Sequence, residues 1–324
     1  MKPDLMYVSD TDPGITRRKY GKGFRYIDHK GRSIDCHKEL SRIRSLAVPP
    51  AYRNVWICKL ANGHLQATGL DDLGRKQYRY HQHWTEFRSL EKFDGLAAFG
   101  RGLPNVRRKI EKILANARRD QIFGKDVALA LLVRLMDHTA MRVGGRSRTS
   151  QGATTLLMRN VKYGHGTLKL KYTAKGGKKV QSTVSDRRLQ KILEKIHDLP
   201  GKRLFQYIGQ DQEVHPLDSG DVNTWLKTVM GQDNVSAKMF RTWHGSVAAL
   251  EALRIADKAT IKIACEAASH ILCNTPAIAR KSYVHPLVLQ LAEEGNARQK
   301  IRQLKAKKAQ GLNAAEQRLL ALLN

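Results

Sequence analysis

The chain of 324 residues contains few cysteines and few prolines. Its four cysteines are scattered and include no Cys-x-x-Cys pair, so a structural zinc site is not expected and the thiols should be reduced and buried. They are Cys36, Cys58, Cys265 and Cys273. Only 9 prolines interrupt the chain and 41% of its residues are hydrophobic, which is typical of an ordered globular protein and excludes a largely disordered one.

Long hydrophobic runs are also missing. The longest uninterrupted ones, such as residues 127–133, are far shorter than the roughly 20 residues of a membrane-spanning helix. The first ten residues lack the apolar stretch of a signal peptide, and we find no lipidation motif and no basic amphipathic anchor. We therefore expect a cytoplasmic protein with no membrane partner.

Acidic residues are in short supply. The chain has 58 Lys and Arg against 29 Asp and Glu, which gives a formal net charge of +29 and a pI near 10.2. Residues 138–185 contain no Asp or Glu but carry ten Lys and Arg. Such an excess attracts polyanions, since each neutralised phosphate releases a counterion. Nucleic acid is therefore the expected partner, and an acidic membrane surface is the alternative.

The hydrophobic pattern predicts two domains. Residues 1–88 have the alternation and the turn dipeptides of an antiparallel meander, such as Asn62-Gly63. From residue 89 onward the period becomes helical, and Pro104 is expected in the first turn of a helix. Further helices are predicted over residues 125–138, 186–197, 221–229, 240–254, 258–272 and 276–283, with one isolated β-hairpin over residues 167–184 and a helix-prone tail over residues 293–324.

The predicted fold class is therefore α+β. A small antiparallel β-rich domain (residues 1–88) precedes a larger, mainly α-helical domain (residues 89–324) that contains the inserted β-hairpin. The charged tail is interpreted first as a solvated helix, and next as a DNA-binding or partner-binding segment.

Several residues could together attack a phosphodiester. The reaction needs a nucleophile, fixed cations for the charge on the non-bridging oxygens, and an acid for the departing 5′-oxygen. Tyr283 is the candidate nucleophile, and Arg142, Lys175 and Arg241 are candidate cations. Since residues 138–185 lack the carboxylates that bind two metal ions in many nucleases, this chemistry would be metal-free. The pattern alone favours exposed cations and a half-buried tyrosine over a catalytic set, and Lys178 and Lys179 compete with Lys175.

Two motifs carry a resemblance to a known family. Phe240-Arg-Thr-Trp-His-Gly245 and Thr275-Pro-Ala-Ile-Ala-Arg-Lys-Ser-Tyr-Val-His-Pro286 resemble motifs of the type IB DNA topoisomerases, in particular the short poxviral and bacterial enzymes. The likeness extends to the N-terminal half over residues 42–52, 55–58 and 74–81. Family members clamp duplex DNA as monomers, cut one strand, let the free end rotate and reseal it, without a nucleotide or metal cofactor.

The resemblance also implies roles for individual residues. Tyr283 matches the nucleophile that becomes linked to the 3′-phosphate, and Arg142 and Arg241 match the arginines that hold the non-bridging oxygens. Lys175 matches the general acid, and Lys238 matches a second lysine near the scissile phosphate. In the N-terminal domain, the resemblance places a set of residues against base edges and backbone in the major groove. This set is Lys76, Gln77, Tyr78, Arg79 and Tyr80.

Two positions depart from the family pattern. Asn274 stands where poxviral relatives have a histidine, so its amide can donate to a phosphate oxygen but brings no imidazolium charge. Gly145-Arg146 stands where the motif usually continues Asn-Glu, so a carboxylate that could orient Arg142 is missing. Both changes could slow the reaction.

Other classes of protein remain open at this point. A tyrosine recombinase or integrase would use a similar Arg, Lys and Tyr set, but it usually carries a helical DNA-gripping domain in place of the N-terminal β motifs. A catalytically weak DNA-binding relative and a generic RNA-binding protein are the further alternatives. A DNA-acting protein of this kind would associate with the nucleoid if the source is bacterial.

Overall fold

The computed structural model describes residues 3–120, 124–145, 149–197, 199–305 and 309–324. The chain divides into two compact units, Met1–Lys92 and Phe93–Asn324, which we call the N-terminal unit and the C-terminal unit. The boundary predicted between residues 88 and 89 lies inside a helix, Gln82–Asp94. In the described part of the chain, no helix is both long enough and apolar enough to cross a membrane.

The N-terminal unit is built on one five-stranded antiparallel sheet. Its strands are β1 (Ile15–Tyr20), β2 (Gly23–Ile27), β3 (Arg53–Ile57), β4 (Leu65–Leu70) and β5 (Lys76–Tyr80), in the spatial order β2-β1-β3-β4-β5. Only β3, β4 and β5 form the predicted meander. A helix that the sequence did not predict, α1 (His37–Ser45), lies between β2 and β3 in the chain and contributes Ile43 to the small core on one face of the sheet.

The C-terminal unit is mainly helical, as predicted. Its helices follow α2 (Gln82–Asp94) and are α3 (Leu96–Asp120), α4 (Lys125–Thr139), α5 (Arg187–Ile196), α6 (Ser219–Met230), α7 (Lys238–Ile255), α8 (Ile261–Leu272), α9 (Pro276–Ser282), α10 (Pro286–Glu293), α11 (Ala297–Gln303) and α12 (Ala314–Leu323). Its strands are β6 (Val161–Gly164), β7 (Thr167–Thr173), β8 (Lys179–Ser185), β9 (Gln206–Ile208) and β10 (Val214–Pro216). The fold class α+β is thus confirmed.

Three local predictions about this unit were wrong. The hairpin β7–β8 is not isolated, since β6 pairs with β7 and makes a three-stranded sheet. The short hairpin β9–β10 was missed. Pro104 lies inside α3 rather than in its first turn, where it removes a backbone hydrogen bond that the carbonyl of Gly100 would accept. Gly100 lies against the indole ring of Trp243, so the local path of α3 is set by packing.

The C-terminal tail is not a solvated helix. Leu319 on α12 is fully buried in the main core, and Glu316 is only 1% exposed. The Glu316 carboxylate accepts from the indole Nε1 of Trp243 on α7 and from both Nη atoms of Arg107 on α3. Arg107 also pairs with Asp137 on α4, which accepts from His244. This buried ionic network therefore connects α3, α4, α7 and α12.

Candidate active site

Arg241, in the first turn of α7, is the buried cation of the site. Only 3% of the surface of this residue is exposed. Its Nη1 donates to the carbonyl of Ala140 at 2.6 Å, and its Nη2 donates to the carbonyl of Leu272 at 3.0 Å. These carbonyls lie at the C-terminal ends of α4 and α8, where helix dipoles carry partial negative charge. Burial lowers the pKa of Arg241, but a guanidinium keeps its charge at neutral pH.

Tyr283 stands next to this guanidinium. It caps the C-terminus of the short helix α9, which begins at Pro276 behind the Thr275 cap, and it is 8% exposed. The Cζ atom of Arg241 lies 4.7 Å from the centroid of the Tyr283 ring. Burial raises the pKa of Tyr283, but the charge and hydrogen bonding of Arg241 and the charges of Arg142 and Lys238 outweigh burial and lower it overall. The site therefore favours the phenolate more than water does.

Helix α7 also holds the backbone of Tyr283. The hydroxyl of Ser246, which is fully buried, donates to the Tyr283 carbonyl at 3.1 Å and accepts from the backbone N–H of His285 at 2.9 Å. A Cβ atom on Gly245 would lie 2.9 Å from a methyl group of Leu272 and 3.5 Å from the Cβ of Tyr283. The nucleophile candidate and Arg241 are thus fixed to the same helix.

Arg142 reaches the site from the loop that follows α4. Its carbonyl accepts from the backbone N–H of Ala153 at 2.8 Å. The segment around Arg142 and the segment around Gly152 lie very close together. A Cβ on Gly152 would lie 2.5 Å from the backbone of Gly144 and 2.6 Å from the Arg142 carbonyl. Gly144 has φ +103°, which favours glycine. Backbone pairing therefore positions Arg142 without the expected carboxylate. Arg146, the second half of that departure, lies outside the described residues.

A small pocket is lined by both arginines of the site, and Tyr283 is not among its lining residues. Arg142 and Arg241 line it together with Tyr172 of β7. Burial raises the pKa of Tyr172 to about 12, so this second tyrosine remains a neutral phenol. The other lining residues are Thr139, Met141, Gln151, Ala174, Ile271, Leu272 and Cys273. Tyr172 and Ser246 were missed by sequence reasoning, although the alternation of β7 points Tyr172 to the buried face of its sheet.

The turn between β7 and β8 carries the candidate acid. Gly176 and Gly177 both have positive φ, at +81° and +76°, so the glycines are required by the turn. Lys175 is exposed at its tip, and within the described residues no hydrogen bond or ion pair to it is found. Lys178 lies closer to the site, since its Nζ donates to the backbone carbonyl of Asn274 at 3.4 Å.

Three buried polar atoms at the site have no hydrogen-bond partner among the described residues. Both side-chain atoms of the Asn274 amide are buried without a hydrogen-bond partner, and so is the Nε of Arg241. Buried polar atoms are rarely left unpaired in native proteins. The two donors among them, the Asn274 Nδ2 and the Arg241 Nε, are suited to an anionic ligand. Lys238, exposed at the start of α7, adds positive charge near Tyr283.

The five residues predicted to contact DNA lie on β5 of the N-terminal unit. Tyr78 and Tyr80 are 50% and 45% exposed, and their rings stack with centroids 6.1 Å apart. The others already have partners inside the unit: Gln77 donates to Asp71, Lys76 pairs with Asp10, and Arg79 donates to the carbonyl of Ala47. The two tyrosines are thus the open part of this surface.

His285, two residues after Tyr283, predicts an acid sensitivity of the site. Its Nδ1 accepts from the backbone N–H of Leu287 at 3.2 Å. Burial lowers the pKa of His285 to about 4, with the nearby charge of Asp94 acting in the opposite, weaker direction. The His285 imidazole binds a proton near pH 6.5 in the unfolded chain and only near pH 4 in the folded chain. Because the unfolded chain binds the proton first, the free energy of unfolding should fall as the pH drops between these values.

Urea unfolding at pH 7.5 and pH 5 measures this effect. In a His285→Asn variant the amide oxygen can still accept from Leu287, but the side chain no longer titrates. The difference in stability between the two pH values should therefore be smaller in the variant than in the natural chain. An unchanged difference would show that His285 contributes nothing to the acid sensitivity.

Potential metal ligands do not gather anywhere in the described residues. No group of three or more His, Cys, Asp or Glu side chains there could hold a metal ion. The four cysteines are free, with Cys58 and Cys265 buried, Cys273 partly buried and Cys36 exposed, so Cys36 departs from the expectation of burial.

Comparison with known proteins gives matches over most of the chain. The model of the bacterial DNA topoisomerase IB N-terminal domain matches residues 23–71, and the model of the eukaryotic DNA topoisomerase I catalytic core matches residues 81–312. The DNA topoisomerase 1B of Acanthamoeba polyphaga mimivirus is 29% identical over 297 residues, which cover 86% of this chain and 87% of the viral protein.

Solved structures of the XerH site-specific recombinase show a weaker likeness. The post-cleavage complex with palindromic difH substrate gives a TM-score of 0.39 at 16% identity, covering 58% of this chain and 51% of the recombinase. The pre-cleavage complex gives 0.35 at 18% identity, covering 55% and 49%. This chain thus spans about half the length of those recombinases, and a likeness at this level does not bear on the choice of family.

Proposed function

The chain belongs to the type IB DNA topoisomerases, and we propose that its C-terminal unit cleaves and reseals one strand of duplex DNA through Tyr283. One observation carries the proposal: a buried guanidinium, held between two helix ends, lies 4.7 Å from the ring of a tyrosine whose pKa it lowers. The N-terminal match to residues 23–71 favours a topoisomerase over a recombinase.

In the cleavage step, the Tyr283 oxygen attacks the phosphorus and releases its proton to water. A bond forms between the Tyr283 oxygen and phosphorus, while the bond from phosphorus to the 5′-oxygen breaks. The 5′-oxygen takes a proton and leaves as a hydroxyl. The same steps in reverse reseal the strand after the free end has rotated. Because the phosphotyrosine bond keeps the energy of the original linkage, the cycle needs no nucleotide.

The cations act on the charge that builds up on the non-bridging oxygens. Two of the five N–H donors of Arg241 are given to the carbonyls of Ala140 and Leu272, which leaves three to share between Tyr283 and a ligand. Arg142 lines the same pocket, and the unpartnered Asn274 amide can donate to a phosphate oxygen. Donors fixed in advance need no reorganisation in the transition state, which is where most of their effect on rate arises.

Two lysines could deliver the proton to the 5′-oxygen. We assign this role to Lys175, because it stands free at the tip of the turn and can approach a DNA strand. Lys178 is held on the Asn274 carbonyl, so it is better placed to fix the turn against the site. Lys238 adds a further positive charge near the phosphate.

Duplex DNA is the proposed partner, bound as a clamp by one copy of the chain. The net charge of +29 suits a polyanion. The stacked Tyr78 and Tyr80 suit contacts to sugar, backbone and base edges, and Gln77 retains its amide oxygen as an acceptor. The proposed location is the compartment that holds DNA, the nucleoid if the cell is bacterial.

Relaxation of supercoiled plasmid tests this function. The purified chain should relax plasmid without ATP and in the presence of EDTA, because every group used above belongs to the protein. The products are resolved on an agarose gel over a range of salt concentrations. Failure to relax the plasmid at every salt concentration would contradict the proposed activity.

A further inference from the structure

The face of the N-terminal sheet that carries Tyr78, which we call the outer face, extends from β5 across the other strands. Residues directly opposite each other on neighbouring strands point to the same face of a sheet. Four residues form such a row from β1 to β5: Thr16, Trp56, Thr68 and Tyr78. The row of Ile15, Ile57 and Ala67 lies on the opposite face and is buried in the small core. The face with Tyr78 is therefore the one that points away from that core.

The hairpin β1–β2 places two arginines on this outer face. Arg18 lies two residues after Thr16, so it points to the same side, and it pairs directly with Arg25 of β2. Tyr20 follows on the same side, and the Cζ of Arg25 lies 4.1 Å from the centroid of its ring. All three are exposed. Like charges opposite each other destabilise a strand pair, so this arrangement is a cost to the isolated protein.

Neither arginine has a carboxylate partner within the part of the chain that the structure describes. The acidic residue nearest to Arg25 in sequence is Asp28. It is already paired with Arg32 at 2.9 Å and also accepts from backbone N–H groups in the turn. Some other cations of the unit are neutralised, as Lys76 is by Asp10 and Arg75 is by Asp71. The pair Arg18–Arg25 is thus an uncompensated positive site beside an aromatic ring.

The middle of the outer face is covered by the chain itself. Asp10 accepts from the hydroxyl of Thr68, and the carbonyl of Asp12 accepts from the indole of Trp56. Two edges remain open on the same face, namely β5 with its tyrosines and the hairpin β1–β2. Neighbouring strands lie about 4.8 Å apart, so β1 and β5 are about 14 Å apart. That distance corresponds to the rise of about four base pairs along the axis of a DNA duplex, at 3.4 Å each.

We propose that Arg18 and Arg25 bind backbone phosphates of a DNA duplex, and so extend the contact surface of the N-terminal unit beyond β5. Phosphates suit these residues because the planar guanidinium binds two oxygens at once and never loses its charge. An anion between the two arginines also removes their mutual repulsion. The inference rests on the proposed DNA partner, but it does not depend on the chemistry of Tyr283.

The salt dependence of binding tests this assignment. The full chain and its variants are titrated with a 30-base-pair duplex at several salt concentrations, and the slope of log affinity against log salt is measured. Each phosphate contact contributes about −0.9 to this slope. Arg25→Gln should therefore make the slope less steep by about 0.9, and Arg18→Gln with Arg25→Gln by about 1.8. Replacing both by lysine should restore most of the slope.

Arg32→Gln is the matched control. It removes the same formal charge from the turn that follows β2, but Arg32 is already paired with Asp28. Its slope should stay close to that of the natural chain. An unchanged slope in the double variant, or an equal change in the control, would overturn the proposal, since the latter would mean that only net charge matters. Titration of the same proteins with single-stranded RNA completes the test. If the double variant loses affinity for the RNA but not for the DNA duplex, the proposal is also overturned.

Covalent adduct formation is measured in the same samples. If adduct is absent from every protein while the slopes differ as expected, the hairpin contact stands and the proposed function fails. If adduct forms in every protein while the slopes are equal, the proposed function stands and the hairpin contact is wrong.

Discussion

A Tyr283→Phe variant is expected to bind duplex DNA and to relax none of it. The substitution removes one hydroxyl group and keeps the ring that lies against Arg241. Loss of the nucleophile should reduce the rate on the order of 10⁶-fold, the size seen when other covalent nucleophiles are removed. The measurement is plasmid relaxation, together with denaturing gel electrophoresis of the protein–DNA adduct.

Tyr163→Phe provides the control for this experiment. Tyr163 lies on β6 in the same unit, its hydroxyl is 3.4 Å from the carbonyl of Leu193, and burial raises its pKa to about 12. This variant loses the same atom at a distance from the pocket and should still form the adduct. Adduct formation by Tyr283→Phe would mean that another group attacks the phosphorus, with Tyr172 the first to examine because it lines the pocket.

An Arg107→Met variant is expected to lose about 3–5 kcal/mol of the free energy of unfolding of the C-terminal unit, because the buried carboxylate of Glu316 and the largely buried one of Asp137 lose their common partner. Asp137 and Glu316 each accept a bidentate contact from Arg107, and that cation helps to hold the pKa of both carboxyls below the usual range. Urea unfolding followed by tryptophan fluorescence measures the loss, since Trp243 donates to Glu316.

Two further variants separate this network from ordinary surface charge. Arg298→Met removes an arginine whose partner, Asp257, is fully exposed and 3.6 Å away, and it should leave the urea midpoint unchanged. Glu316→Gln should cost less than Arg107→Met, because Arg107 keeps Asp137. A loss below about 1 kcal/mol for Arg107→Met, the range of surface pairs, would contradict a supporting role for the network.

The network also accounts for part of the motif Phe240-Arg-Thr-Trp-His-Gly245. Arg241 faces the pocket, whereas Trp243 and His244 bind carboxylates of the network. A sequence motif read as catalytic therefore contains both a residue that faces the pocket and residues that support the fold. Spacing along α7 does not separate the two kinds. It sets the direction of each side chain, but what that side chain contacts depends on which helices surround α7.

Much of the molecule followed from the sequence alone. The excess of Lys and Arg identified the class of partner, and hydrophobic period identified most of the helices and several strands, because both depend on local chemistry. The motif around Tyr283 identified the family. Tertiary structure decided the rest. The strand β6, the docking of Glu316 and the outer row from Thr16 to Tyr78 all depend on pairing between distant segments, and the burial of Arg241 depends on where two other helices end.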